Sequence, residues 1–140
     1  MNLAYLALKK IIPELNEKII SADRLFEICE KRKVEIIERR QKPRGVYAVA
    51  GKDEYILIRS LLTQILFHEV LAHETSHACL HEATATFLLR KHQLEAEAFS
   101  LVCLMPRTEL PRLCRIIDTL DTEIFDQLRR RLKVVEIWNI

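Results

Sequence analysis

Apolar residues in the first thirty positions follow the spacing of helices. Residues 3–20 carry apolar side chains three or four positions apart, and Pro13 interrupts them where it can open a second helix. Ser21 suits the N-cap of a further helix, because its hydroxyl can accept a hydrogen bond from a backbone N–H of the first turn. The basic residues 31–33 suit the last turn of that helix. The pattern therefore predicts helices up to about residue 33.

The pattern changes in the middle of the chain. Val34–Arg39 is short and rich in β-branched residues, which predicts a strand. Val46–Ala50 and Tyr55–Ile58 flank a turn-rich spacer, residues 51–54, and together they predict a hairpin. Residues 39–45 are basic and have the composition of a loop. A small sheet is therefore predicted between the helical parts of the chain.

Helices return in the second half. Residues 61–80 are apolar on nearly every side of a helix, which predicts a buried one. His92–Leu104 predicts another helix, and Asp121–Leu132 predicts a charged amphipathic helix. Residues 83–89 fit the end of a helix or a turn, and residues 134–140 fit a terminal strand or a docking segment. The predicted fold class is α+β, with all 140 residues in a single domain.

Composition narrows the classes of function. Apolar residues make up 49% and charged residues 30%, so the chain can form a packed core. The 22 basic and 20 acidic residues nearly cancel, which argues against a dedicated nucleic-acid-binding protein. No apolar run reaches the roughly 20 residues of a membrane helix, and the N-terminus lacks the pattern of a signal peptide. We therefore expect a cytoplasmic protein that neither spans a membrane nor binds nucleic acid directly.

Four cysteines are spread through the chain without a C-x-x-C pair. Each has apolar neighbours in sequence, which is typical of small buried side chains. We expect free, buried thiols rather than disulfides or a cysteine zinc site at Cys29, Cys79, Cys103 and Cys114.

The segment His73-Glu74-Thr75-Ser76-His77 carries the clearest chemical signal. On a helix, His73 and His77 project from one face about 6 Å apart along the axis, so both imidazoles can bind one metal ion. Glu74 points about 100° away around the helix, which leaves it free to act as a general base on a water molecule. The alternative is that these are hydrogen-bonded core histidines and a paired acid. The apolar setting favours a metal, because burying such groups without partners is costly.

A catalytic zinc site needs a third protein ligand. His81 would lie about 12 Å along the helix from His73, which is too far for one tetrahedral centre. A later histidine after a glycine-bearing turn is also excluded, because no glycine follows His77. Glu95 and Glu97 follow at distances that allow a turn and a returning helix, so either carboxylate can complete a set of two histidines and one glutamate.

Two segments together resemble the ImmA/IrrE family of zinc peptidases. Leu71–His81 reads LAHETSHACLH, where that family has an Ala-His-Glu-x-x-His helix with another histidine four residues on. Leu94–Pro106 reads LEAEAFSLVCLMP, where the family has a Glu-Ala-x-x-Phe element that leads into Leu-Met-Pro. Ser76 stands where the family often has glycine, and Glu97 where it usually has asparagine or aspartate. The resemblance covers about residues 22–110 and is weaker upstream of the motif helix.

The resemblance implies a zincin-like domain, without an attached helix-turn-helix domain, whose site lies in a cleft beside the small sheet. In its register Glu95, rather than Glu97, is the third ligand. His73, His77 and Glu95 would then hold one Zn²⁺ per chain, and Glu74 would be the catalytic base. The resemblance also implies a cytoplasmic protease that cuts a particular protein, commonly a helix-turn-helix repressor. We therefore expect a zinc-dependent endopeptidase whose partner is its protein substrate.

Two other functions stay open. The chain can be a regulatory or antitoxin-like interaction module whose metal site is structural or lost. A DNA-associated regulator is the weaker alternative, because the charge is nearly balanced and no helix-turn-helix signature is present. The basic runs 31–33 and 129–131 are expected to be solvated faces rather than binding surfaces.

For the peptidase, an extended substrate would pair with an exposed strand edge, for which Tyr55–Ile58 is the candidate. Tyr47, His68 and His81 are candidates for a second group that stabilises negative charge on the substrate. Otherwise His68 and His81 are expected at the polar edge of the cleft, and His92 at the surface where a helix begins.

Overall fold

A computed structural model describes residues 2–81 and 90–140. No helix within these ranges is both long and apolar enough to cross a membrane. The fold class is α+β, as predicted. In chain order the elements are α1 (Leu3–Ile11), α2 (Ala22–Lys31), β1 (Val34–Arg39), β2 (Gly45–Ala50), β3 (Asp53–Arg59), α3 (Gln64–Leu80), α4 (Arg90–Leu104), α5 (Leu110–Arg115) and α6 (Thr122–Trp138), with short 3₁₀ turns at Arg107–Glu109 and Ile117–Thr119.

The three strands form one mixed sheet in the order β1-β3-β2. β2 and β3 pair antiparallel, which confirms the predicted hairpin, and Gly51 turns the chain between them with a φ of 65°. β1 pairs with β3 in parallel. The prediction that Tyr55–Ile58 offers a free edge to a substrate is therefore wrong, because β3 is hydrogen-bonded on both sides. The free edge beside α3 belongs to β2, which contacts that helix.

Helix α3 lies at the centre of the protein and contacts α1, α2, α4, α6 and the sheet. Thr63 caps its N-terminus, since the hydroxyl accepts a hydrogen bond of 3.2 Å from the backbone N–H of Leu66. Leu71 and Ala72 are completely buried. The prediction of a buried helix is confirmed, and the motif residues from Glu74 to His77 are all buried.

Several other sequence predictions match the observed elements. The bounds of β1 are those predicted, and Ser21 caps α2 by accepting a 3.1 Å hydrogen bond from the N–H of Arg24. The helix predicted at His92–Leu104 is present and begins at Arg90. The ambiguous segment 83–89 lies outside the described residues.

Two predictions near the ends of the chain are wrong. Residues 13–20 form turns instead of a second helix, and the ammonium group of Lys9 donates to backbone carbonyls of that segment. Residues 134–140 form neither a strand nor a separate docking segment, because α6 continues to Trp138. The helix is held there by packing, since the Trp138 ring meets the Phe99 ring edge-on with centroids 5.8 Å apart.

Arg131 contradicts the prediction that residues 129–131 form a solvated face. It is completely buried, because α6 packs this side against the rest of the protein. Its guanidinium donates hydrogen bonds to the carbonyl of Met105 (2.6 Å), the side chain of Asn16 (3.0 Å) and the carbonyl of Ile140 (3.0 Å). Burial lowers its pKa to about 10, so the group stays charged at neutral pH. Residues 31–33, by contrast, are exposed as predicted.

The four thiols are free, as predicted. Cys29 and Cys103 are buried, and Cys79 is half-buried. Cys114 is exposed at the outer side of the short helix α5, so its predicted burial is wrong. Burial raises the pKa of Cys79 to about 11, which keeps this thiol protonated near neutral pH.

Gly45 gives the first prediction, because it allows β2 to lie close to α3. A Cβ atom there would come within 2.5 Å of Val70 Cγ1 and 2.9 Å of Glu74 Cγ. We expect Gly45→Ala to lower the free energy of unfolding by about 1–3 kcal/mol, since the strand must move away from the helix. Urea denaturation measures this loss. Amide hydrogen exchange around Val70 should accelerate in the same variant.

Gly51→Ala is the matched control for this prediction. A Cβ there meets nothing within 4 Å, but the φ of 65° strains any other residue. It should therefore lower stability without accelerating exchange around Val70. Unchanged stability of Gly45→Ala would contradict the proposed contact.

Candidate metal centre

Helix α3 brings His73, Glu74 and His77 together. One ligand atom from each of these side chains lies within 4.8 Å of the other two. The Nε2 atoms of His73 and His77 are 3.2 Å apart, and the rings meet edge to face. His77 is 1% exposed and Glu74 is 7% exposed, while His73 is half-buried. The predicted pairing of the two histidines on one face of the helix is therefore observed.

Helix α4 brings the side-chain amide of Gln93 close to the two imidazoles. The side-chain oxygen Oε1 of Gln93 lies 3.2 Å from His73 Nε2 and 3.3 Å from His77 Nε2. Ligand atoms at about 2.0–2.1 Å from a tetrahedral zinc ion are about 3.3 Å from one another. The three atoms therefore have the mutual spacing that zinc requires, and the residues present fit that ion.

Sequence reasoning missed Gln93. Glutamine does not belong to the residue types that mark a zinc site, and nothing in its local sequence sets it apart. Only the packing of α4 against α3 brings its amide to the two imidazoles.

Glu95 does not belong to the group formed by His73, Glu74 and His77. Its carboxylate is 5% exposed, and Oε1 is 3.2 Å from Nε2 of His81. The other ring nitrogen of His81, Nδ1, lies 2.7 Å from Nδ1 of His77. The structure thus groups Glu95 with His81 and His92 and connects it to the pair through His81. Glu95 as the third metal ligand stays a prediction.

The remaining histidines differ from expectation. His81 is 6% exposed, so its predicted place at the polar edge of the cleft is wrong: it ends α3 where α4 covers it. His92 lies in the first turn of α4, as predicted, but it is half-buried, because its ring stacks on that of His81 with centroids 4.2 Å apart. His68 Nε2 contacts the carbonyl of Ile20 at 2.7 Å. These contacts follow from helix packing, which the local sequence does not reveal.

The candidates for a second charge-stabilising group are all engaged with other residues. Tyr47 donates its hydroxyl hydrogen to Glu54, away from the histidine pair. His68 contacts the backbone of Ile20, and His81 is held between His77 and Glu95. The described structure therefore leaves these three side chains without a free group at the histidine pair.

A cleft of about 430 Å³ opens beside the motif. Glu97 lies one helical turn after Gln93, so both side chains face the cleft from α4. The residues that line the cleft are Arg44, Gly45, Leu66, Glu69, Val70, His73, Glu74, Gln93 and Glu97.

An ion-pair network closes one side of this cleft. Arg130 of α6 donates two hydrogen bonds of 2.9 and 3.0 Å to Glu69, and it lies 3.5 Å from Glu97. The same guanidinium pairs with Asp126 at 2.9 Å. Arg130 thereby connects α6 to the two helices that carry the site, a contact that the expectation of a solvated basic face did not include.

Burial sets the protonation of the central groups. Together with the neighbouring imidazoles of His73 and His81, it lowers the pKa of His77 to about 3. Burial also lowers the pKa of His73 below its usual range. Burial raises the pKa of Glu74 to about 7, although a backbone hydrogen bond from Tyr47 opposes this shift. The two imidazoles are therefore neutral at neutral pH, as a metal ligand has to be, and the carboxyl group can take up and return a proton there.

One known protein family matches most of the chain. The family model described as the IrrE N-terminal-like domain, Peptidase M78, matches residues 29–137. The match includes both helices of the site and extends beyond residue 110, where the sequence resemblance ended. No curated protein matches the chain, and no solved structure does. The chain therefore belongs to the IrrE N-terminal-like family of peptidases, which confirms its resemblance to ImmA/IrrE proteins.

Proposed function

We propose that the chain is a zinc-dependent endopeptidase that hydrolyses a peptide bond in a specific cytoplasmic protein. The observation that carries the proposal is the 3.2 Å separation of His73 Nε2 and His77 Nε2, which is the spacing of two ligands on one zinc ion. Gln93 Oε1 forms a triangle with these two atoms, at 3.2 and 3.3 Å, and lies where a third ligand would bind. Glu74 lies beside this triangle at the wall of the cleft. The family match supports peptidase chemistry. All 140 residues are proposed to form one zincin-like domain with one Zn²⁺.

A bound zinc ion supplies a Lewis acid that polarises a carbonyl group and lowers the pKa of water to about 7. Glu74 takes one proton from the water that attacks the peptide carbonyl. It then returns that proton to the nitrogen of the leaving amine, so the carboxylate is regenerated in each cycle.

The substrate is proposed to bind as an extended segment along the free edge of β2. Gly45 begins this strand and also lines the cleft, so a chain paired with β2 passes directly beside Glu74. A helix-turn-helix repressor is the substrate class that the family resemblance favours.

Glu95 is proposed as the third zinc ligand, and Gln93 is its competitor. A carboxylate is the third ligand in the two-histidine zinc peptidases, whereas an amide oxygen carries no charge. One oxygen of Glu95 contacts His81, which leaves the other oxygen of the same carboxylate for an ion. The position of Gln93 favours the competitor, because its oxygen already completes the triangle.

Zinc binding tests the metal site directly. We expect one Zn²⁺ per wild-type chain, and we expect His73→Ala and His77→Ala each to weaken zinc binding by more than about 100-fold. This exceeds the 10–100-fold typical of residues that only support a ligand. Competition with a chromophoric chelator measures the affinities. His68→Ala is the control, since His68 lies on the same helix but contacts Ile20. Unchanged affinity of His73→Ala would contradict the site.

Cysteine substitution distinguishes the two candidates for the third ligand. A thiolate that coordinates Co²⁺ produces a charge-transfer band in the near ultraviolet, because the soft sulfur donates strongly to the metal. We expect this band for cobalt-loaded Glu95→Cys and not for Gln93→Cys. The wild-type chain, which holds the four native cysteines, gives the background spectrum. The band in Gln93→Cys alone would instead assign the third position to Gln93.

The general base is tested by Glu74→Gln, which keeps the size of the side chain. We expect peptide hydrolysis to fall by at least about 10²-fold, because the amide cannot accept the proton. Zinc affinity should stay close to that of the wild type. The substrate is a protein mixture with chemically blocked amines, in which mass spectrometry counts new amino termini.

Glu136→Gln is the matched control, because Glu136 is exposed on α6 and does not line the cleft. It should cleave at the wild-type rate. Equal cleavage by Glu74→Gln and the wild type would remove Glu74 from the mechanism. A zinc-loaded wild-type chain that leaves its bound protein partner intact would support the interaction-module alternative.

A further inference from the structure

His81 stands between the histidine pair and Glu95 and contacts each through a different ring nitrogen. Nδ1 of His81 lies 2.7 Å from Nδ1 of His77, one turn earlier on the same helix. Nε2 of His81 lies 3.2 Å from Oε1 of Glu95 on α4. All three side chains are buried, so these hydrogen bonds are shielded from water.

The two Nδ1 atoms share a single proton, and zinc at His77 determines which ring carries it. An imidazole that binds a metal through Nε2 keeps its proton on Nδ1. His77 must then donate to His81, whose Nδ1 accepts and whose own proton is on Nε2. That N–H group faces the Glu95 carboxylate, which accepts it. One assignment of protons therefore satisfies both hydrogen bonds and leaves Nε2 of His77 free for the ion.

We propose that His81 is a positioning residue that fixes the proton of His77 on Nδ1 and links the metal ligand to the Glu95 carboxylate. This inference rests on the proposed zinc site and goes beyond it, because it assigns a role to a residue outside the ligand set. The role holds for either third ligand. One oxygen of Glu95 receives the His81 proton, and the other oxygen is available to an ion.

The ring of His92 holds His81 in this orientation. The two rings are stacked, with centroids 4.2 Å apart and an angle of 21° between their planes. A quarter-turn of the His81 ring about its Cβ–Cγ bond would break this stacking together with both hydrogen bonds. Arg32, which follows α2, donates to the carbonyl of Ala78 and not to His81.

A second metal site at His81, His92 and Glu95 is the competing interpretation. One ligand atom of each residue lies within 4.8 Å of the others, and Nδ1 of His92 has no hydrogen-bond partner among the described residues. Stacked rings argue against it, however, because imidazole lone pairs lie in the ring plane and nearly parallel rings do not direct them to one point. The hydrogen-bonded chain also uses both ring nitrogens of His81.

Three substitutions at His81 separate its two contacts. Asparagine places a carbonyl oxygen near the position of Nδ1 and can still accept the proton of His77. Glutamine reaches the position of Nε2 and can still donate to Glu95, but it lacks the acceptor near His77. Leucine removes both groups. The set therefore tests the contact to His77 independently of the contact to Glu95.

We expect His81→Leu to weaken zinc binding by about 10–100-fold, which is typical for the loss of a group that supports a metal ligand. His81→Asn should bind zinc about 10-fold more tightly than His81→Gln, because it alone keeps the acceptor for His77. Chelator competition measures the affinities. Imidazole nitrogen chemical shifts of the zinc-loaded protein report the proton on Nδ1 of His77 and on Nε2 of His81. His68→Leu on the same helix should bind zinc as the wild type does.

The outcomes separate this inference from the proposed function. If the wild type binds no zinc, the proposed function fails and the role of His81 fails with it. If the wild type binds zinc and His81→Leu binds it equally well, only the role of His81 is overturned. Two zinc ions per chain, one of which is lost in His92→Ala, would overturn it as well. If His81→Leu does not fold, the comparison of asparagine with glutamine decides, and equal affinities would overturn the proposal.

Discussion

The packing of α4 against α3 is the contact on which the candidate metal centre depends. Helix α3 alone provides two imidazoles for an ion, since Glu74 points away from them around the helix, and two ligands are too few to close a metal site. Helix α4 adds Gln93 at one face of the pair and Glu95 beyond His81. These groups meet only because the two helices are adjacent along much of their length. A change in the angle between the helices would separate them without altering either helix.

This packing also explains how a buried helix tolerates polar side chains. The imidazoles of His73, His77 and His81, together with the carboxylate of Glu95 from α4, would be costly in an apolar interior unless each had a partner. Here they partner one another: His73 contacts His77, His77 contacts His81, and His81 contacts Glu95. The line of hydrogen-bonding groups runs from the cleft into the interior, and its open end at the cleft is where His73 and Glu74 face the solvent-accessible volume.

Local features of the fold could be predicted from the sequence because they depend on neighbouring residues. The bounds of β1 followed from a β-branched run, and the start of α2 followed from one hydroxyl at Ser21. The sheet order could not be predicted, because parallel pairing of β1 with β3 brings together strands that are separated by the hairpin. The end of α6 was missed because Trp138 is held by a contact with Phe99, far away in sequence.

In the candidate site, too, the local features could be predicted from the sequence and those that depend on helix packing could not. Histidine spacing on one helix predicted the pair at the cleft, since that geometry is local. The positions of Gln93, His81 and Glu95 depend on where α4 meets α3, and sequence spacing carries no information on that angle. The family pattern selected Glu95 from two carboxylates, while the geometry adds His81 between that carboxylate and His77.

The most direct measurement of the central claim is anomalous diffraction at the zinc absorption edge from crystals of the zinc-loaded protein. We expect one peak per chain, about 2.0–2.1 Å from Nε2 of both His73 and His77. An anomalous peak beside His81 and His92 instead would contradict the proposed site. Clear density for the side chains of His73 and His77 with no anomalous peak between them would contradict it as well.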